Sequence, residues 1–349
     1  MRVHPSRFAF AGFVAVSLGL AALLGESALS VYVLLALSAM VTVGVSLLMG
    51  HAGQVSLGQG AFYACGAYAA GLIAKGGYPT LAGLVCAPLA ASALAVVIGV
   101  PLLLLRGHHL AFATLATHLI CLSLISEAVS VTGGDVGLQN IPPLRIGGFQ
   151  FDSAREHAFL SWIALILVIV VARNVLGSRP GRALRALSSS EVAAASSGVP
   201  VGPYKLAVFA LSAAFAGLAG GIYAFYMGYL APGSFPVLLS IEYVVMAAVG
   251  GLGRVSGGVV GSVIVLLLVH ALSRLATMNG MPSTAPVILS YAVYAVLLVV
   301  AVLFLPDGVV SLAQSLWAKL GQRLLRPVPE LPLTAGKPGK RPEQDWSRP

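Results

Sequence analysis

The sequence from Leu29 to Met49 reads LSVYVLLALSAMVTVGVSLLM and contains no charged side chain. A helix needs about 20 apolar residues to cross the hydrocarbon core of a bilayer. Similar runs follow one another along the chain, so the sequence predicts an all-α, polytopic integral membrane protein with about ten transmembrane helices. The predicted spans are 8–24, 29–49, 61–74, 81–105, 109–131, 159–176, 206–229, 239–252, 255–277 and 286–305.

The composition indicates that lipid is the main solvent of this chain. Hydrophobic residues make up 58% of its 349 positions and charged residues 9%, whereas soluble domains carry about 25% charged residues. The net charge of +9 is concentrated in a few loops and in the tail. This pattern is typical of membrane topology and not of a nucleic-acid-binding surface. The three cysteines lie in apolar runs without metal-ligand spacing, so we interpret them as packing residues.

The positions of the basic residues predict the orientation of the chain, because cytoplasmic loops are enriched in Lys and Arg. With a cytoplasmic N-terminus and about ten crossings, the C-terminus is also cytoplasmic. Of the 20 Lys and Arg, those that would lie outside are Lys75, Arg145, Arg155 and Arg274. We therefore predict a retained N-terminal anchor helix over 1–28, a transmembrane domain over 29–310 and a basic cytoplasmic tail over 311–349.

Two predicted spans, 61–74 and 239–252, are unusually short, and each follows a segment broken by glycine or proline. In the predicted topology, spans 2–5 and 7–10 run in opposite directions. This arrangement is typical of an inverted repeat, in which a substrate path lies near the interface of the two halves. The sequence therefore predicts that the broken segments belong to such a path.

Polar residues in and after the broken segments are the candidates for lining this path. Non-helical backbone at membrane depth is tolerated only against protein or a water-filled cavity. These side chains therefore face either a solute or a neighbouring helix, and the sequence leaves both interpretations open. The candidates are Gln54, Ser56, Gln59, Ser240 and Glu242.

The polar loop 177–205 interrupts the apolar runs and is predicted to be cytoplasmic. It begins with three arginines, which can hold it near anionic lipid or an acidic partner. Ser190 is a suitable N-cap for a short helix that opens at Glu191. The alanines that follow would leave a smooth face that fits a groove on a partner. The candidate coupling residues are Gly181, Arg182, Ala183, Arg185, Glu191, Ala193, Ala194 and Gly198.

The loop 132–158 is the longest predicted external loop, and its length suits a contact with another protein. Its candidate contact residues are Thr132, Gly133, Gly134 and Asp135. The glycine-rich run 250–253 lacks the setting of a dinucleotide site and is predicted to be a tight turn. Motifs for zinc, for phosphate loops and for a nucleophilic serine do not occur in the sequence. We therefore predict no catalytic residue, no metal site and no cofactor of its own, which disfavours an intramembrane enzyme.

Several of these motifs, in this order, resemble the permease subunits of branched-chain amino acid ABC importers of the LivM type. The resemblance covers roughly residues 30–310. The segments that carry it are 50–62, 105–116, 132–134, 181–187, 191–194, 204–205, 234–235, 240–242 and 250–253. One departure is the run Ser188–Ser190, where the family usually has charged residues.

The resemblance implies a permease of the bacterial inner membrane that transports branched-chain or other hydrophobic amino acids by alternating access. It implies four kinds of partner: membrane lipid, a homologous second permease, two cytoplasmic ATPases that bind ATP and Mg, and a periplasmic substrate-binding protein. The segment 191–198 corresponds to the loop that such permeases insert into the ATPase. Two alternatives remain, namely a permease for urea or short amides in the same family and a channel that works without ATP.

Overall fold

The structure is a computed structural model that describes residues 5–103, 105, 107–276, 289, 292–293, 295–297, 299–300 and 308–312. Most of the predicted span 286–305 and nearly all of the predicted tail 311–349 lie outside these residues. The helices are α1 Pro5–Leu23, α2 Glu26–Ala52, α3 Gln59–Lys75, α4 Thr80–Leu102, α5 His108–Glu127, α6 Val129–Thr132, α7 Ala154–Gly177, α8 Arg179–Ser189, α9 Glu191–Ser196, α10 Val201–Met227, α11 Val237–Gly250 and α12 Val255–Ala276.

The described residues between 289 and 300 and residues 308–312 are also helical. Apart from its helices, the described part of the chain contains one antiparallel hairpin, β1 Arg145–Ile146 and β2 Phe149–Gln150, and two single 3₁₀ turns. Seven of the described helical segments are long and apolar enough to cross a membrane. The predicted all-α, polytopic architecture is therefore confirmed. The short predicted spans are also confirmed as short helices, with 17 residues in α3 and 14 in α11.

Helix α2 lies at the centre of the molecule and packs against α7, α10, α11 and α12. Its most apolar window is 83% buried, whereas the corresponding windows of α4 and α5 are only 28% buried. A helix that is apolar on all sides is expected in such a central position. The exposed apolar side chains of α4 and α5 are suited to contact lipid or another membrane subunit.

Glycine allows the closest helix crossings. A Cβ on Gly66 would overlap the backbone of Gly217, so α3 and α10 are in backbone contact. A Cβ on Gly261 would likewise overlap the carbonyl of Met246, which joins α11 to α12. Small residues at helix interfaces are the usual means of close approach in membranes, where lipid supplies no hydrophobic force between helices. The helix that follows the predicted 250–253 turn thus packs closely on α11.

Helix α7 begins at Ala154, five residues before the predicted span. The Ser153 side chain accepts a hydrogen bond from the backbone N–H of Glu156, whose carboxylate accepts one from the N–H of Ser153 at 3.0 Å. This reciprocal capping box fixes the start of the helix. The predicted external loop 132–158 is consequently shorter, and it contains the hairpin and a 3₁₀ turn at Gly134–Val136.

Candidate functional site

The first turns of α3 and α11 meet inside the protein. The backbone N–H of Gly60 donates a hydrogen bond of 2.9 Å to the hydroxyl of Ser240. The same hydroxyl lies 3.0 Å from Nδ1 of His118 on α5. Ser240 and His118 are fully buried, so this contact joins three helices away from solvent. We call Gly60, His118 and Ser240 the junction.

Glycine is required at position 60 because the imidazole of His118 fills the space beside it. A Cβ there would come within 2.8 Å of His118 Nε2 and 3.0 Å of Ser240 Oγ. Helix α5 also holds the broken segment before α3, since the hydroxyl of Thr114 accepts a hydrogen bond of 2.9 Å from the N–H of Leu57. Through Thr114 and His118, one face of α5 therefore contacts both the segment that precedes α3 and the first turns of α11.

The two short helices run away from the junction in opposite directions. Farther along α3, Gly71 lies against Leu138 and Leu230, which form a bridge on the predicted external side. Helix α11 ends at Gly250, beside the turn that packs on the end of α2. Each short helix thus extends from the junction towards one side of the protein only.

The two broken segments meet inside the protein. In the predicted topology, segment 50–60 belongs to the inner side and segment 231–240 to the outer side. In the structure the ends of the two segments, Gly60 and Ser240, are hydrogen-bonded to each other in the interior. Each segment therefore leads into the protein where its short helix begins.

The structure brings only some of the predicted path residues together. Gln59 adjoins the junction and is fully buried, and neither its amide nitrogen nor its amide oxygen has a hydrogen-bond partner among the described residues. Ser56 is buried and its hydroxyl accepts a bond of 3.4 Å from the N–H of Gly58. Gln54 stays beside the end of α2, where its N–H donates to the carbonyl of Leu48. Glu242 lies in α11 and is half-buried.

Sequence reasoning missed the part that His118 plays in the junction. Its Nε2 is buried without a hydrogen-bond partner among the described residues. A sequence signal existed, because Thr114 and His118 are four residues apart and therefore share one face of a helix. Among the described residues, no group of three or more His, Cys, Asp or Glu side chains is placed to hold a metal ion.

The loop predicted to contact a partner forms helices α8 and α9, and it is attached firmly to the protein. Leu184 and Leu187 are buried, and the guanidinium of Arg185 donates a hydrogen bond of 2.8 Å to the carbonyl of Leu176 at the end of α7. Gly181 and Ala194 are also buried. These two residues are therefore packing residues of the loop and are not part of its exposed surface.

The other predicted coupling residues lie at or near the surface. Arg182, Arg185, Ala193 and Gly198 are exposed, and Ala183 is half-buried. Ser190 caps α9 as predicted, since its hydroxyl accepts a bond of 3.2 Å from the N–H of Ala193. Gly198 has a positive φ of 80°, which ends the helical course of the chain.

An ion pair holds the start of α9 against α10. Nζ of Lys205 lies 2.6 Å from a carboxylate oxygen of Glu191, and the two side chains are 17% and 42% exposed. The side chain beside this pair, Val192, is 77% exposed. Helix α9 is thus fixed on its inner face and presents a small, largely apolar outer face.

Of the four predicted external contact residues, only Asp135 is exposed. The buried hydroxyl of Thr132 donates to the carbonyl of Ile125 at 2.6 Å and accepts from the N–H of Gly134 at 3.1 Å. Gly133 and Gly134 have φ values of 82° and 61°. These three residues form the inside of a turn, in which Thr132 and Gly134 are buried, so Asp135 is the predicted contact residue that the turn exposes.

Comparison with known proteins assigns the chain to a family. Residues 8–302 match the family described as "Branched-chain amino acid transport system / permease component". The chain is 34% identical over 249 residues, 64% of its length and 57% of the relative's, to the "High-affinity branched-chain amino acid transport system permease protein LivM" of Escherichia coli (strain K12). It is 33% identical over 263 residues, 68% of its length and 60% of the relative's, to the protein of the same name from Salmonella typhimurium (strain LT2).

The matched part therefore spans about three fifths of each of these relatives. No solved structure shows a significant match to the chain. The family match covers most of the residues that form the helices described above. This multi-pass membrane protein belongs to the family of permease components of branched-chain amino acid transport systems.

Proposed function

We propose that this chain is the transmembrane subunit of an ATP-driven importer of branched-chain amino acids, which works in the bacterial inner membrane with both termini in the cytoplasm. Its partners in this proposal are a homologous second permease, two cytoplasmic ATPases that bind ATP and Mg, and a periplasmic substrate-binding protein. The observation that carries the proposal is the attachment of α8 and α9, which joins an exposed helix to the membrane helices.

Helix α9 has the properties of a coupling element. Its outer face carries Val192, Ala193 and Ala195, which are short side chains that fit a groove on a partner. Its inner face is fixed by buried Ala194 and by the ion pair between Glu191 and Lys205. Helix α8 in turn packs on α2, α7 and α10. A displacement of α9 is therefore transmitted through α8 to the central helix α2.

The junction suits the path of a zwitterionic or neutral solute. Its polar side chains, His118 and Ser240, and the adjoining Gln59 lie on three different helices, so a movement of one helix changes their mutual distances. In the proposed cycle, ATP binding closes the two ATPases, the α9 helices move, and the permease pair opens outward to accept solute. Hydrolysis and release return the pair to the inward-facing state. The hydrogen bond between Gly60 and Ser240 must then break or shift during opening.

The first test is uptake of labelled leucine in a strain of the native host that lacks this gene, with and without the gene restored. We expect the gene to restore uptake that needs ATP and that valine and isoleucine block. Uptake blocked only by urea would assign the chain to the urea and short-amide permeases. Uptake independent of ATP would instead indicate a channel that works alone.

The role of α9 is tested by Val192→Asp, with Val192→Ile as the matched control. The exposed position tolerates either side chain in the folded permease, so both variants should reach the membrane in normal amounts. A charge in an apolar groove is costly to bury, and we expect Val192→Asp to abolish uptake while Val192→Ile retains it. Normal uptake by the Asp variant would rule out α9 as the docking element.

A further inference from the structure

The exposed face of α8 carries an unbalanced group of positive charges. Arg179, Arg182 and Arg185 are all exposed and are spaced three residues apart. Residues at this spacing are neighbours on a helix, with Cβ atoms about 5–6 Å apart. No acidic residue occurs in the sequence between Glu156 and Glu191. Within the described part of the chain, none of the three guanidinium groups has an acidic side chain at salt-bridge distance.

The position of α8 places this group at the edge of the membrane. Helix α7 has 24 residues, which at about 1.5 Å per residue exceeds the hydrocarbon thickness of about 30 Å. Its last turn therefore reaches the headgroup region. The bond between Arg185 and the Leu176 carbonyl, together with buried Gly181, holds α8 across the end of α7. The arginines consequently lie close to the height at which α7 leaves the bilayer.

The inward face of α8 is already occupied by protein. Leu184 and Leu187 are 2% and 7% exposed and pack into the core. The helix therefore offers its charged face, and not an apolar face, to the lipid around it. Guanidinium groups bind phosphate oxygens in a bidentate manner and keep their charge at all physiological pH values.

We propose that Arg179 and Arg182 bind the phosphate of an anionic phospholipid, with Arg185 positioning α8 through its bond to α7. The occupant is a lipid because the site lies beside the end of a membrane helix, at the expected height of the headgroups. Helix α9, which comes next in the chain, remains available for a protein partner. This lipid site does not depend on which solute the permease carries.

The test uses the purified full-length chain in detergent, titrated with phosphatidylglycerol or with phosphatidylcholine of the same acyl chains and followed by native mass spectrometry. An Arg near an anionic headgroup contributes about 1 kcal/mol, or about fivefold in affinity. We expect the double variant Arg179→Gln, Arg182→Gln to bind phosphatidylglycerol about twenty- to thirtyfold more weakly. The variant Arg179→Lys, Arg182→Lys should retain most of the binding, because the charge is kept.

The matched control is Arg155→Gln, which removes an exposed arginine from the opposite end of α7. This residue has Asp152 and Glu156 close to it in the chain, so its loss should leave lipid binding unchanged. Equal binding of phosphatidylglycerol and phosphatidylcholine would overturn the proposal. Unchanged phosphatidylglycerol binding by the double Gln variant would overturn it as well. Displacement of phosphatidylglycerol by excess inorganic phosphate would also overturn it, because the site would then hold free phosphate.

Discussion

The backbone N–H of Gly60 and the hydroxyl of Ser240, 180 residues apart in the chain, form a hydrogen bond of 2.9 Å inside the protein. This bond joins the starts of two helices that run in opposite directions. The hydroxyl that accepts it also touches the ring of His118. Because the acceptor is a single atom, its removal leaves both partners without their contact.

Ser240→Ala should destabilise the protein. The change leaves the buried N–H of Gly60 without an acceptor, at a cost of about 1–3 kcal/mol. The matched control is Ser262→Ala, because Ser262 is equally buried and its hydroxyl bonds only to the Val259 carbonyl within its own helix. Equilibrium unfolding in mixed micelles measures both variants. Equal losses of unfolding free energy would show that the junction adds nothing beyond the burial of a serine.

Gln59→Leu should separate the two interpretations of the broken segment. Leucine is similar in size and removes two buried polar atoms that have no partner among the described residues. The free energy of unfolding should therefore rise by about 1–3 kcal/mol. If these atoms bind solute, uptake of labelled leucine falls in the same variant, and this is the result we expect. A more stable variant with unchanged uptake would assign Gln59 to packing alone.

Gly220→Ala should be poorly tolerated, whereas Gly202→Ala in the same helix should be harmless. A Cβ at position 220 would lie within 2.9 Å of the carbonyl carbon of Tyr63, while position 202 has no atom within 4 Å. Backbone cannot move aside as a flexible side chain can, so the first change should cost about 1–3 kcal/mol. Unfolding in micelles tests the pair. Comparable stabilities would contradict the close crossing of α3 and α10.

Charge reversal at the α9 ion pair tests whether Glu191 holds α9 against α10 or itself contacts a partner protein. Glu191→Lys places two cations together and should loosen α9 from α10, which lowers uptake. Adding Lys205→Glu restores an opposite-charge pair, and we expect most of the uptake to return. Failure of the double variant, if it is folded and in the membrane, would mean that Glu191 itself touches a partner.

The same pair should contribute little to global stability. Both groups are partly exposed, and such pairs are worth about 0.2–1 kcal/mol. A double-mutant cycle with Glu191→Gln and Lys205→Gln measures the coupling directly. The coupling should shrink as salt is added, since exposed charges are screened. A coupling well above this range that resists salt would show that the pair is more deeply buried than the structure indicates.

The sequence predicts those features that depend on neighbouring residues. The long apolar runs predict the membrane helices, Ser190 predicts the N-cap of α9, and the glycines at 250–253 predict a turn. The start of α7 can also be predicted from the sequence, because Ser153 and Glu156 have the spacing of a capping box. Each of these features is determined within a few residues, which is why the sequence is sufficient for it.

The junction was beyond sequence reasoning because its members come from distant parts of the chain. Ser240 and His118 are 122 residues apart, and no local pattern pairs them. Burial of Gly181 and Ala194 likewise depends on how the loop folds back on α7 and α10. The sequence alone does not tell which faces of this loop point outward.

The opposed directions of α3 and α11 have an electrostatic consequence. A helix carries about half an elementary positive charge at its N-terminus, and at the junction the first turns of two helices lie side by side. This arrangement disfavours protons and metal cations at the junction, as paired half-helix ends do in membrane pores. In the transport path that we propose, solute would therefore pass without discharging the ion gradients of the membrane.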